Sequence, residues 1–130
     1  PLGIENVTWE TIGDNTPNGG WGLFLTPRQM AKFGYLYLNE GMWDDERIIS
    51  AEWINDSVEP GKWVDMYVDY GYQWWIFKDL GIYAAQGLQG QKIFVIPDEN
   101  MVVVMTAELY NENPEFVLLT EYILPSIQEE

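Results

Sequence analysis

The sequence predicts an α+β fold, an antiparallel β-sheet with flanking helices, from three observations. Two segments in the first half carry helix-start signals followed by apolar residues at helical spacing. From Tyr70 to Thr106 the period changes to short aromatic and β-branched runs separated by turn residues. A third helical pattern then closes the chain. Helices, sheet and closing helix in that order form segregated blocks, which is an α+β arrangement rather than an alternating α/β one.

The stretch up to Gly20 is rich in Gly, Asn, Thr and Asp, ends in Thr16-Pro17-Asn18-Gly19-Gly20, and reads as loop. Thr26-Pro27 opens the first helix, with Thr as N-cap and Pro at the first position, where a missing N–H costs nothing. Met30, Phe33, Gly34, Tyr37 and Leu38 lay one apolar stripe before Asn39-Glu40-Gly41 stops it. Ser50-Ala51-Glu52-Trp53 starts a second, shorter helix that Pro60-Gly61 ends. Tyr70 to Phe77, Ile82 to Gln86, Lys92 to Ile96 and Met101 to Thr106 have strand compositions, and Pro97-Asp98-Glu99-Asn100 is a hairpin connector between the last two. Asn113-Pro114 repeats the cap-plus-proline start, and Phe116, Leu119, Ile123 and Ile127 make an amphipathic helix expected to bend or end near Pro125.

Composition narrows the chemistry. The chain has 130 residues, 47% hydrophobic and 15% aromatic, enough for one packed domain, expected over residues 1–130. It contains no Cys and no His, so a disulfide framework, a zinc finger, haem ligation, a Ser-His-Asp triad and a Cys-His dyad are excluded within it. No cofactor or metal is expected. Six basic residues against 21 acidic ones give a formal charge of −15, which repels phosphate backbones, and no basic residue lies beyond Lys92. Nucleic acid and anionic lipid are therefore poor partners. No apolar run is long enough to span a membrane. Pro1-Leu2-Gly3-Ile4 is not a signal peptide, and the missing initiator Met suggests a processed chain or a piece of something longer.

A serine nucleophile without histidine needs a lysine one helical turn away, as in Ser-x-x-Lys. Ser50 is followed three residues on by Trp53, Ser57 by Pro60 and Ser126 by Glu129, so none qualifies. Tyr37-Leu38-Asn39 matches a Tyr-x-Asn pattern, yet core packing and helix capping account for both residues. Asp44-Asp45-Glu46 reads as a solvated turn. Trp74 and Trp75 send one indole to each face of a strand, one into the core and one available to line a cleft. The richest segment is Tyr83 to Gln91, where Gly87 and Gly90 stand three apart at the junction of two strand-like runs. Such a backbone approaches a ligand closely and presents N–H groups, as an oxyanion hole requires; a plain Gly-rich turn has the same spacing.

Pro1-Leu2-Gly3-Ile4, Gly22-Leu23 with Thr26-Pro27-Arg28-Gln29-Met30-Ala31-Lys32-Phe33-Gly34, and Leu36-Tyr37-Leu38-Asn39-x-Gly41 form an ordered set. Ile48-Ile49-Ser50 with Trp53-Ile54, Tyr70-Gly71-Tyr72-Gln73-Trp74-Trp75, and Gly87-x-x-Gly90-Gln91 leading to Ile96-Pro97 complete it. Taken together the chain resembles the C-terminal part of the serine beta-lactamase-like hydrolases. These share the fold of class C beta-lactamases, D-alanyl-D-alanine peptidases, related esterases and nylon-oligomer hydrolases. The resemblance implies the C-terminal portion of a beta-lactamase/transpeptidase-like fold, cut after the Ser-x-x-Lys and Tyr-x-Asn (or Tyr-x-Ser) motifs.

By the same resemblance the family's third motif, Lys/His-Thr/Ser-Gly, falls on Ala85-Gln86-Gly87, and Leu88 is the residue whose N–H completes the oxyanion hole. Ala85, Gln86, Gln89, Trp74 and Trp75 become the substrate-binding candidates. Ala85 stands where the family carries a cation, which favours a neutral ester or amide over a beta-lactam in the parent enzyme. The implied partners are the N-terminal part of the same hydrolase and a small ester or amide. Alone, the chain is expected to be inactive and to form a homo-oligomer, either edge to edge through the Met101–Thr106 strand or by swapping the C-terminal helix. A non-catalytic module binding peptidoglycan or sugar through exposed tryptophans is the reading from another class.

Overall fold

The computed structural model describes residues 1–110 and 114–127 of the chain. Four two-residue strands come first: β1 (Thr8–Trp9), β2 (Thr11–Ile12), β3 (Thr16–Pro17) and β4 (Leu23–Phe24). β1 pairs with β4 and β2 with β3, so the segment expected to be loop is two small ladders. Ladders of two residues are too short to leave a hydrophobic period in a sequence dominated by turn formers.

Helix α1 (Pro27–Leu38) starts as its sequence dictates. Thr26 Oγ1 accepts from Gln29 N–H at 3.3 Å while Gln29 Oε1 accepts from Thr26 N–H at 2.8 Å, a complete capping box with Pro at the first turn. Asn39 caps the other end, and Gly41 follows at φ +82°. A short hairpin, β5 (Met42–Trp43) and β6 (Glu46–Arg47), then turns at Asp44 and Asp45, both left-handed. This turn geometry explains the acidic pair as hairpin residues, which tolerate positive φ. Helix α2 (Ala51–Val58) opens on Ser50, whose side chain accepts from Trp53 N–H at 3.1 Å.

The sheet is an antiparallel meander of six strands, β7 (Lys62–Trp63), β8 (Val68–Tyr70), β9 (Trp75–Phe77), β10 (Ile82–Gln86), β11 (Lys92–Ile96) and β12 (Met101–Met105). The aromatic run from Tyr70 to Phe77 is divided between β8 and β9. Its middle is a tight turn in which Gly71 N–H donates to Trp74 O at 2.9 Å and Gln73 sits at φ +69°. Aromatic composition alone conceals such a reversal. β12 is the last strand of the sheet order, with β11 as its one partner among the described residues.

Alternation along the strands divides the core in two. Ile76, Tyr83, Ile93 and Val95 pack with Tyr37, Ile54 and Trp74 on the side of α1 and α2. Gly34 makes that approach possible, because a Cβ there would come within 2.6 Å of Val102 Cγ1 and 2.8 Å of Ile93 Cγ2. On the opposite side Ile82, Ala84, Phe94 and Ile96 meet Phe116, Leu119 and Ile123. Each fully buried side chain of this kind contributes about 1.5–3 kcal/mol.

The closing helical run, α3, consists of Pro114–Val117, a π-helical Leu118–Ile123 and Leu124–Ile127. The widened register lies immediately before Pro125. Proline lacks an N–H and its ring crowds the carbonyl four residues back, and a π turn relieves both. The expected cap at Asn113 lies outside the described residues.

Candidate functional site

The turn from Gly87 to Gln91 connects β10 and β11, and the two glycines determine its shape. Gly87 is extended, its N–H donates to Gln91 O at 2.7 Å, and a Cβ on it would lie 2.9 Å from Gln91 Cβ. Gln89 and Gly90 follow in left-handed conformation at φ +60° and +90°. From outside the turn, Leu109 N–H donates to Gln89 O at 3.0 Å, and the Gln91 side-chain amide donates to Ala107 O.

Register then opens one edge of this turn. β9 pairs with β10 only at Ile82, Tyr83 and Ala84, whereas β11 continues to pair with Ala85 and Gln86. The backbone from Ala85 to Leu88 therefore has a strand on one side and none on the other among the described residues. Leu88 stands at the end of that free edge, its residue 89% exposed, and its N–H has no acceptor among the described residues. A backbone donor held on a rigid strand end and left unspent is what a developing oxyanion needs.

The two tryptophans divide as alternation requires. Trp74 is 2% exposed and lies among Phe33, Tyr37 and Tyr83, stacked on Phe33 with 6.0 Å between rings. It builds the core beneath the site rather than a wall. Trp75 is half-buried opposite Ala84 and meets Tyr70 edge-on at 5.0 Å, which places an aromatic pair beside the open edge. A surface concavity of about 600 Å³ adjoins Tyr70 and is lined by Asp56, Glu59, Gly61, Gly71 and Tyr72. On the α1 side of the sheet, the Tyr83 phenol is pushed above its ordinary pKa by burial and, second, by Tyr37.

The serine hydroxyls are committed elsewhere. Ser57 is fully buried and donates to Trp53 O at 2.6 Å, Ser126 donates to Ile123 O at 2.7 Å, and Ser50 caps α2. Lys32 Nζ donates to the carbonyls of Leu2 and Gly3 at 2.8 and 3.1 Å. Tyr37 packs in the core and Asn39 caps α1, its side chain donating to Met42 O at 3.1 Å.

Sequence reasoning missed one feature of the site. Gln86 Oε1 accepts from Lys92 Nζ at 3.0 Å, and Lys92 stands 3.8 Å from Glu115 Oε1 on α3. Both charged residues are buried, at 5% and 4% exposure. The available signal was Lys92 itself, a cation at an inward position of an otherwise apolar strand. Its partner 23 residues away could not be read from local pattern (115 − 92).

A protein-family model described as Beta-lactamase matches residues 4–126. Among solved structures the chain is similar to a Bacillus anthracis protein provisionally named a 6-aminohexanoate-dimer hydrolase, with a TM-score of 0.71 and 23% identity. That alignment covers 92% of this chain and 32% of the other, so the chain spans about a third of that protein's length. A search of curated proteins finds no match.

Proposed function

The chain belongs to the beta-lactamase family, and from that premise we propose that it is the C-terminal segment of a longer serine hydrolase that cleaves esters or amides through an acyl-enzyme. Its part is the strand that flanks the scissile bond. Leu88 N–H is one oxyanion donor, Gly87 gives the close approach, and Ala85 and Gln89 line the substrate's path, with Trp75 on the opposite face of the sheet, the one it shares with Ala84 and Gln86. The nucleophile and its base belong to the upstream part of the polypeptide, since each serine hydroxyl here serves local backbone.

The observation that carries this reading is the edge from Ala85 to Leu88, unpaired among the described residues, with its unspent donor. During acyl transfer the nucleophilic oxygen adds to the carbonyl carbon, the carbonyl oxygen gains the charge, and the donors stabilise it until the leaving group departs. Ala85 offers no charge to hold a substrate carboxylate, which supports a neutral ester or amide. The hydrolase name of the fold-sharing Bacillus anthracis protein agrees with this class of reaction.

The test compares the chain with the same chain extended upstream. The extended polypeptide is expected to contain Ser-x-x-Lys, to hydrolyse p-nitrophenyl esters and to be labelled by a fluorophosphonate at that serine. Stoichiometric labelling of Ser50, Ser57 or Ser126 in the chain alone would overturn the division of labour.

A non-catalytic reading is favoured by one observation, the exposed Trp53–Tyr72 pair at 5.4 Å beside the concavity lined by Asp56 and Glu59. Saturable quenching of tryptophan fluorescence by peptidoglycan fragments, lost in Trp53→Ala, would support it.

A further inference from the structure

Gln86, Lys92 and Met105 stand opposite one another across β10, β11 and β12, on the side of the sheet that α3 covers. Lys92 and Glu115 are withdrawn from water there, yet neither Glu115 oxygen has a hydrogen-bond partner among the described residues. A buried charge pair with unmade hydrogen bonds is a poor source of net stability, since apolar side chains of similar volume do as well or better. Its position relative to the turn is the informative feature. Gln86 and Lys92 immediately flank the Gly87–Gln91 turn and are paired in register, so their side-chain bond pins both stems together. The crest lies close against the same helix: a Cβ on Gly90 would lie 2.8 Å from Glu115 Oε1 and 3.0 Å from Ala107 Cβ.

We propose that Gln86, Lys92 and Glu115 are positioning residues for this turn. They fix its two stems and the height of Gly90 over α3, and so the direction in which Leu88 presents its N–H. The inference rests on reading Leu88 as an oxyanion donor. It also assigns Gln86 a different task from lining the substrate path, because its side chain points to the covered face and is engaged by Lys92.

The turn's own hydrogen bonds report on this. In the 130-residue chain, amide exchange is measured for Gly87, which donates to Gln91 O, and Leu109, which donates to Gln89 O, with Phe94 and Val95 of β11 as the fold control. Glu115→Ala removes the carboxylate. The double variant Lys92→Met with Glu115→Leu removes both charges while keeping apolar volume, and decides the matter if the single variant does not fold. Gly87 and Leu109 are expected to lose protection about tenfold or more while Phe94 and Val95 do not. Unchanged protection at Gly87 and Leu109 in a folded variant overturns the proposal.

The same variants in the upstream-extended hydrolase are expected to lower kcat about 10- to 100-fold with little change in KM, as misdirection of a transition-state donor does. Loss of protection with an unchanged kcat would uphold the positioning role and overturn the assignment of Leu88. Absence of hydrolysis in the unsubstituted extended polypeptide would overturn the hydrolase reading alone.

Discussion

Gly90 lies directly against the carboxylate of Glu115. A methyl group added to the glycine would fall 2.8 Å from Glu115 Oε1, in a backbone conformation of φ +90° that L side chains rarely adopt. The closing helix therefore limits what the turn between β10 and β11 can contain, although the two are far apart in sequence.

Gly90→Ala meets both obstacles at once. The strained conformation costs about 1–3 kcal/mol, and the added methyl would meet Glu115 Oε1 at 2.8 Å and Ala107 Cβ at 3.0 Å, so that side chain and segment must give way by a few tenths of an ångström. Urea unfolding should show a lower midpoint with an unchanged slope. Gly19→Ala, where a Cβ meets nothing within 4 Å, is the matched control and should be near neutral.

The buried pair predicts an asymmetry between single and double substitutions. Glu115→Ala strands the Lys92 charge and should cost about 3–5 kcal/mol, whereas Lys92→Met with Glu115→Leu should cost far less or stabilise. A double variant less stable than either single variant, by equilibrium unfolding, would contradict this account.

Tyr83 predicts a loss of stability in alkali. Its phenol is buried against Tyr37 and Trp74, and burial raises its pKa above the ordinary value of 10.0. Above about pH 10 the unfolded chain releases this proton and the folded chain keeps it, so the unfolded state binds fewer protons and stability falls as pH rises. The contribution is fully present below that pH. Tyr83→Phe should flatten the decline between neutral pH and about pH 11 in urea titrations; an identical decline in both proteins would remove Tyr83 as its source.

How much of this was legible in the sequence depends on the range of the interactions. Thr26, Pro27 and Gln29 specify the start of α1 among themselves, and Gly87 and Gly90 mark their turn because a missing side chain shows directly in the sequence. The ladders of β1 to β4 are too short for a period, and the reversal at Gly71–Trp74 hides inside an aromatic run. Trp74 and Trp75 were separable as a pair. Which one was core depended on Phe33 and Tyr37 of α1, a contact made only by the fold. The seat of Glu115 under Gly90 likewise exists only once α3 has packed on the sheet.

If the proposed function holds, Leu88→Pro in the upstream-extended polypeptide should remove the backbone donor and lower kcat about 10²-fold or more. Leu88 carries its side chain in solvent, so Leu88→Ala is expected to leave kcat close to that of the parent. A folded Leu88→Pro enzyme with unchanged kcat would show that the third motif is misplaced on this chain.

The final prediction concerns association of the 130-residue chain itself. β12 ends the sheet order, with β11 on one side and no described strand on the other, and its residues Met101, Val102, Val103, Val104 and Met105 include no Pro or charge to blunt an edge. Unpaired N–H and C=O groups along such a strand are a template for a second chain. A formal charge of −15 opposes the encounter, but repulsion between exposed charges is screened beyond about 8 Å at physiological salt, while strand pairing is made at contact. Salt should therefore strengthen association. Light scattering is expected to return a dimer or larger species at sub-millimolar protein, with Val102 to Val104 amides protected from exchange. A monomer mass in moderate salt with those amides exchanging fast would rule out edge pairing, and dissociation on raising salt would contradict its electrostatic half.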